Sequence, residues 1–109
     1  MGLYKNITSA GIITLITKES KNTNRIGSST GYTSDIEKIT ISNNSTSNPA
    51  TVSLQLWDGT SVGYNFIGNM VIPSGVTLVL EDNLSFDKSQ YNLRMEVSGT
   101  SPILDVIIK

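Results

Sequence analysis

From Ala50 to Trp57 the chain reads ATVSLQLW, with Val52, Leu54 and Leu56 at alternate positions and Thr51, Ser53, Gln55 and Trp57 between them. Period two is the signature of an extended strand with one dry and one wet face, because successive side chains of a strand point to opposite sides. The same period recurs at residues 3–6, 12–17, 36–42, 62–72, 76–80, 91–97 and 104–108. In the third segment Ile39 and Ile41 oppose Lys38 and Thr40; later ones set Val76, Leu78 and Leu80, then Tyr91, Leu93, Met95 and Val97, then Leu104, Val106 and Ile108 inward. No stretch carries a helical period, and IITLIT is both too short for a stable helix and rich in β-branched residues. Gly68 interrupts its segment as a bulge or bend would. In IPSG, Pro73 fixes φ and Gly75 can take a positive φ, so a turn reverses the chain there.

About eight such strands, punctuated by Gly, Pro, Asn and Ser, predict an all-β fold. The expected form is an antiparallel β-sandwich of jelly-roll or immunoglobulin-like type, with an up-and-down barrel as the alternative. A length of 109 residues suits one domain spanning 1–109. Charged residues are only 16%, and 15 Ser, 12 Thr and 10 Asn take their place, a composition suited to turns and wet strand faces. The segment KESKNTNRIGSSTGYTSD, residues 18–35, breaks this economy, being longer than compact domains usually allow a loop. It reads either as a floppy insertion or as an arm that orders against a neighbour, with Ile26 and Tyr32 as anchors and Arg25 at the rim.

Composition also narrows chemistry. With neither histidine nor cysteine, the most versatile bases, nucleophiles and soft metal ligands are missing together, so no catalytic residue, cofactor or metal site is expected. The paired acids Glu81 with Asp82, and Asp35 with Glu37, read as a solvated turn and as edge protection. A small hydrolase built on Glu81 is the weakest reading. No calcium-loop pattern occurs, and the Asn-x-Ser/Thr triplets at Asn6, Asn43 and Asn44 are chance products of an Asn-rich, Ser-rich chain. A net charge of -1, with eight scattered basic residues, argues against nucleic acid as a partner. No apolar run approaches a membrane span and the N-terminus lacks a secretory pattern, so neither a membrane partner nor signal cleavage is expected. Trp57 lies opposite Val52, Leu54 and Leu56; it either folds under a loop at the strand end or stacks on a sugar or protein partner.

From Ile39 to Val97 the pieces ISN, ATVSLQLWDG, VIPSGVTLVLEDNLSF and LRMEVSG resemble a pattern found in small β-sandwich virion structural proteins of tailed bacteriophages. Ile72, Pro73, Gly75, Thr77, Leu78, Val79 and Leu80 carry the match, which covers a little over half the chain. The resemblance implies a hairpin at IPSG and a non-enzymatic protein that decorates a capsid. Its partner would be the major capsid protein or another virion protein, at the outer capsid surface, as a homo-oligomer expected to be a trimer. A neck or tail position and a carbohydrate-binding module are the alternatives. Leu3, Tyr4, Arg25, Ile26, Tyr32 and Trp57 are the candidate interface residues.

Overall fold

A computed structural model describes residues 3–18, 33–61, 63–81, 84–87 and 89–109, and every structural statement concerns these. They form ten strands: β1 (Leu3–Ile7), β2 (Gly11–Ile16), β3 (Thr33–Ile36), β4 (Ile39–Asn43), β5 (Ala50–Trp57), β6 (Gly63–Ile72), β7 (Thr77–Leu80), β8 (Leu84–Asp87), β9 (Asn92–Ser98) and β10 (Leu104–Ile108). No helix occurs among the described residues. All strand pairs are antiparallel. The first sheet has the order β1-β10-β4-β7, the second β2-β9-β5-β6, and β3 with β8 forms a separate two-stranded ribbon. Setting the ribbon aside, the chain crosses between two four-stranded sheets at every step except β5 to β6, in the order of a jelly roll, which decides between the architectures the alternation left open.

The alternation holds where it was clearest. Val52, Leu54, Leu93, Met95, Leu104, Val106 and Ile108 are all but inaccessible, and with Ile39, Ile41 and Val97 they form the layer between the sheets. Four local expectations need correction. The strand expected over 36–42 is two strands, because at the break the Glu37 and Lys38 amides donate to the Lys109 carbonyl while the Lys109 amide donates back to Lys38. Strand β8 carries too short a pattern to stand out, yet it pairs with β3, and Ile36 and Phe86 are buried there. Residues 33–35, expected to belong to the long polar segment, are therefore strand; residues 19–32 lie outside the described residues. Val76 does not face inward: it sits exposed in the turn, with Leu78 and Leu80 half-buried beyond it.

The fourth correction concerns IPSG. The Val76 amide donates to the Pro73 carbonyl at 3.2 Å and Gly75 has φ 75°, so the turn expected from Pro-Ser-Gly is present, as a type II turn. It does not close a hairpin. β6 pairs with β5 in one sheet and β7 with β4 in the other, so the turn carries the chain across the sandwich. Three further crossings, at residues 8–10, 44–49 and 99–103, lie at the same end, because Ile7, Asn43 and Leu104 share one register row and Gly11, Val97 and Val52 another. Asn43, 1% exposed, ties two of the crossings together: its amide donates to the carbonyls of Ile72 at 2.9 Å and Asn48 at 3.0 Å, and its side-chain oxygen accepts from the Ser45 amide. Gly99 locks in a third, since its φ is 133° and a Cβ there would lie 2.9 Å from the Pro49 carbonyl oxygen.

Strand β6 is bulged twice against β5, once around Phe66 and once at Gly68 and Asn69, in line with the interruption expected at Gly68. Asn69 takes φ 51°, and its amide donates to Ser53 Oγ at 2.9 Å, which explains why Ser53 is buried although it lies on the outward side of β5.

Replacing Asn43 by Ala leaves the buried Ile72 carbonyl without that donor and should cost about 2 to 4 kcal/mol in urea unfolding at unchanged m-value, whereas exposed Asn44→Ala should cost under about 1. Gly99→Ala combines strain with a clash and should cost roughly 3 kcal/mol, against about 1 for Gly75→Ala, where the added methyl meets open space. Equal losses at the two glycines would contradict the close packing of the crossings.

Candidate functional site

Trp57 ends β5 on the outer face of the second sheet, half-buried. Its six-membered ring lies against Gly63, its partner on β6, where a Cβ would come within 3.1 Å of Cε3. The Arg94 guanidinium covers the ring at 4.0 Å from its centroid, and Arg94 Nε donates to Gln55 Oε1 at 2.7 Å. Gln55 pairs with Arg94 across β5 and β9, so register alone brings this trio together. Such a stack stabilises the planar groups it contains. A sugar ring seeking the covered indole face would first have to displace the guanidinium.

The outer face of the first sheet carries two cross-strand rows. Tyr4, Ile107, Thr40 and Val79 occupy one, and Asn6, Asp105, Ser42 and Thr77 the next. The second row is hydrogen-bonded along most of its length. Asn6 Nδ2 donates to Asp105 Oδ1 at 2.6 Å, Asn44 Nδ2 donates to Oδ2 of the same carboxylate, and the Ser42 and Thr77 hydroxyls lie 3.0 Å apart. In the first row Tyr4 is 71% exposed and Val79 43%, with Ile107 and Thr40 half-buried between them.

Charge is distributed unevenly over the molecule. At the end away from the crossings lie Lys18, Asp35, Glu37, Lys38, Asp58, Glu81, Asp87 and Lys109, whereas the crossings at 8–10, 44–49, 73–76 and 99–103 contain no charged residue. At the charged end Lys18 Nζ donates to the Asp58 carbonyl and the Lys18 amide to Asn92 Oδ1. Asp58 Oδ1 accepts from the Thr60 and Ser61 amides, and Asp87 Oδ1 from the Ser89 amide and hydroxyl, so both carboxylates shape turns. Tyr64 and Tyr91 meet edge to face, 5.8 Å between centroids. Partial burial pushes the Tyr91 phenol above the ordinary tyrosine range, and Tyr64, Asp58 and Asp87 act in the same direction. No group of three or more His, Cys, Asp or Glu converges among the described residues. Asp35 and Glu37 border a hollow of about 180 Å³ with Ile36, Leu84 and Ser85, while Glu81 stands exposed beyond β7.

Of the residues singled out from sequence, Tyr4 is open on the first sheet's outer face and Trp57 lies under Arg94 on the second's, so the fold separates them. Leu3 points the other way and packs onto the core. Arg25, Ile26 and Tyr32 lie outside the described residues. Sequence reading overlooked the partners Ile107, Val79, Arg94 and Gln55, which no local pattern marks and only cross-strand register assembles.

No family model matches the chain, and no curated protein matches it. Among solved structures, it is similar to a chain in the structure of infectious bursal disease virus, Gx strain, with a TM-score of 0.37 and 11% identity over 98% of this chain; it spans 28% of that chain's length.

Trp57 is the chain's single tryptophan, so its fluorescence reports the stack directly. Arg94→Ala should uncover the indole, shift emission to longer wavelength and cost about 0.5 to 1 kcal/mol. An unchanged spectrum would mean that the guanidinium does not cover the ring in solution.

Proposed function

We propose that the chain is a non-enzymatic virion structural protein, a decoration (cement) protein on the outer surface of a tailed-phage head, bound to the major capsid protein or another virion protein. The observation that carries the reading is a jelly-roll sandwich whose sheet faces and crossings present mainly hydroxyls, amides and apolar side chains, with most of the charge of the described residues gathered at one end. Jelly rolls serve viral capsids, lectins and other proteins alike, so the fold narrows the role without defining it. The resemblance of residues 39–97 to phage virion proteins supplies the direction.

On this reading the row Tyr4, Ile107, Thr40 and Val79 lies on the particle, with Tyr4 as the protruding anchor. Tyrosine is suited to that place, giving a large contact area and a hydroxyl at low entropic cost. Each contact is modest, and repeated copies on one particle add their binding through multivalency. A place at the neck or tail would use the same face.

The test is cosedimentation of the purified chain with separated heads and tails of the virus that carries it. Binding to heads is expected, and Tyr4→Ala with Ile107→Ser should weaken it about tenfold or more. A chain that ignores every virion component, or binds glycans through Trp57, would end the proposal; binding to tails alone would move the protein along the particle.

A further inference from the structure

Among the asparagines of the described residues, Asn44 stands apart. It is exposed in the crossing that leaves β4, and the residue after it, Ser45, is small. The others lack that combination. Asn6 precedes Ile7, Asn65 Phe66, Asn69 Met70 and Asn92 Leu93, Asn43 is buried, and Asn48 precedes Pro49, whose nitrogen carries no proton. An asparagine placed like Asn44 is open to a reaction of its own chain. The backbone nitrogen of the next residue attacks Cγ; a C–N bond forms, the bond from Cγ to Nδ2 breaks, and ammonia leaves with the amide proton. Water then opens the five-membered imide at one of its two carbonyls, giving aspartate or isoaspartate. A small next residue leaves the attack unhindered, so Asn-Ser on an exposed connection is among the more reactive of such pairs.

In the fold both reacting groups are engaged. The nucleophile, the Ser45 amide, donates to Asn43 Oδ1 at 3.1 Å, and Ser45 is itself buried. The leaving nitrogen, Asn44 Nδ2, donates to Asp105 Oδ2 on β10, while the Asn44 backbone amide donates to the Ile103 carbonyl at 2.8 Å. A hydrogen bond to a carboxylate is stronger than one between neutral groups. The same carboxylate accepts from Asn6 Nδ2 through Oδ1, which holds it in place between β1 and the crossing. Ring closure needs the Ser45 amide to give up its proton and Cγ of Asn44 to turn back onto that nitrogen. Both bonds have to break before the ring can form.

We infer that Asn44 is a latent deamidation site, kept as an amide by Asp105, and that its conversion releases the crossing at residues 44–49 from β10 for good. The consequence follows from the product. A carboxylate in place of the Asn44 amide has no proton to donate and meets the Asp105 carboxylate, where like charges repel. Isoaspartate adds a methylene to the backbone between Asn43 and Ser45, and so displaces the amide that Asn43 Oδ1 accepts from. Either product acts against the network through which Asn43 pins two crossings. An opening of this end of the sandwich is reversible while Asn44 is an amide and becomes permanent once the ring has formed. The reaction takes only water as co-reactant, and the inference stands apart from the virion reading.

Peptide mapping by mass spectrometry, after incubation of the full chain in mildly alkaline buffer, reads conversion at each asparagine. In the unmodified chain Asn44 should stay an amide, while a synthetic peptide of residues 42–49 converts under the same conditions. Asp105→Ala should raise conversion at Asn44 about tenfold or more, the effect of losing one charge-assisted hydrogen bond, with Asn65 and Asn69 unchanged in the same digest. Asn6→Ala, which loosens β1 but leaves the Asn44 bond in place, should not raise it. Asn44→Asp tests the product: its urea midpoint should fall below that of Asn44→Ala, and adding Asp105→Asn, which puts a donor opposite the new carboxylate, should restore it. Should Asp105→Ala fail to fold, the peptide comparison and the Asn44→Asp pair decide. Conversion as fast in the folded chain as in the peptide, an unchanged rate in Asp105→Ala, a rise shared by Asn65 and Asn69, or an Asn44→Asp variant as stable as Asn44→Ala overturns the inference.

Discussion

Everything in this sandwich depends on how a buried amide, that of Asn43, stitches the sheets where the chain passes between them. A strand leaving its sheet carries backbone groups away from the ladder and into the interior, where an unpaired carbonyl or amide costs as much as a lost hydrogen bond. At the end of β4 this cost is met locally. The Asn43 backbone exchanges hydrogen bonds with Val76 and Gly75, and its side chain serves Ile72, Asn48 and Ser45. Asparagine is suited to the task because it offers two donors and an acceptor on a short, uncharged stem. Two crossings are thereby pinned to one residue. The Asn44 amide, donating to the Ile103 carbonyl, and Gly99, pressed against Pro49, bring in a third.

Much of the fold was legible in the sequence for the same reason that its connectivity was not. Alternation is a property of consecutive residues, so the inward sets of β5, β9 and β10 could be read directly. Sheet membership is not local. Pro73, Ser74 and Gly75 make the same type II turn whether the chain folds back within a sheet or crosses to the other, and what separates the cases is a bond from Asn43, thirty residues earlier. The break after Ile36 is hidden likewise, because its partner is the last residue of the chain. In β6 the two bulges shift parity, leaving Ile67 inward and Phe66 exposed.

The surface was less legible still. Parity placed Trp57 correctly on the outside, but the Arg94 cover over its ring follows from the pairing of β5 with β9. Leu3 and Tyr4 look alike as terminal apolar residues, yet Leu3 pairs with Ile108 toward the core and Tyr4 with Ile107 toward solvent. One residue of register separates an anchor from a packing group. The uncharged run over residues 59–80 is plain to the eye in the sequence, but it acquires meaning only once β6 and β7 are known to be neighbouring edges.

A jelly roll closes its two ends with loops but leaves its two sides as strand edges, and edges are where sheets seek company. In this chain the crossings gather at one end and are uncharged, the loops at the other end are charged, one side is guarded by Lys5, and the other is bare. On the proposed structural role, the segregation gives direction. The charged end keeps its water and the neutral end and flank can lose theirs at little electrostatic cost, so the distribution of charge over the sandwich sets the orientation in which its faces can be covered.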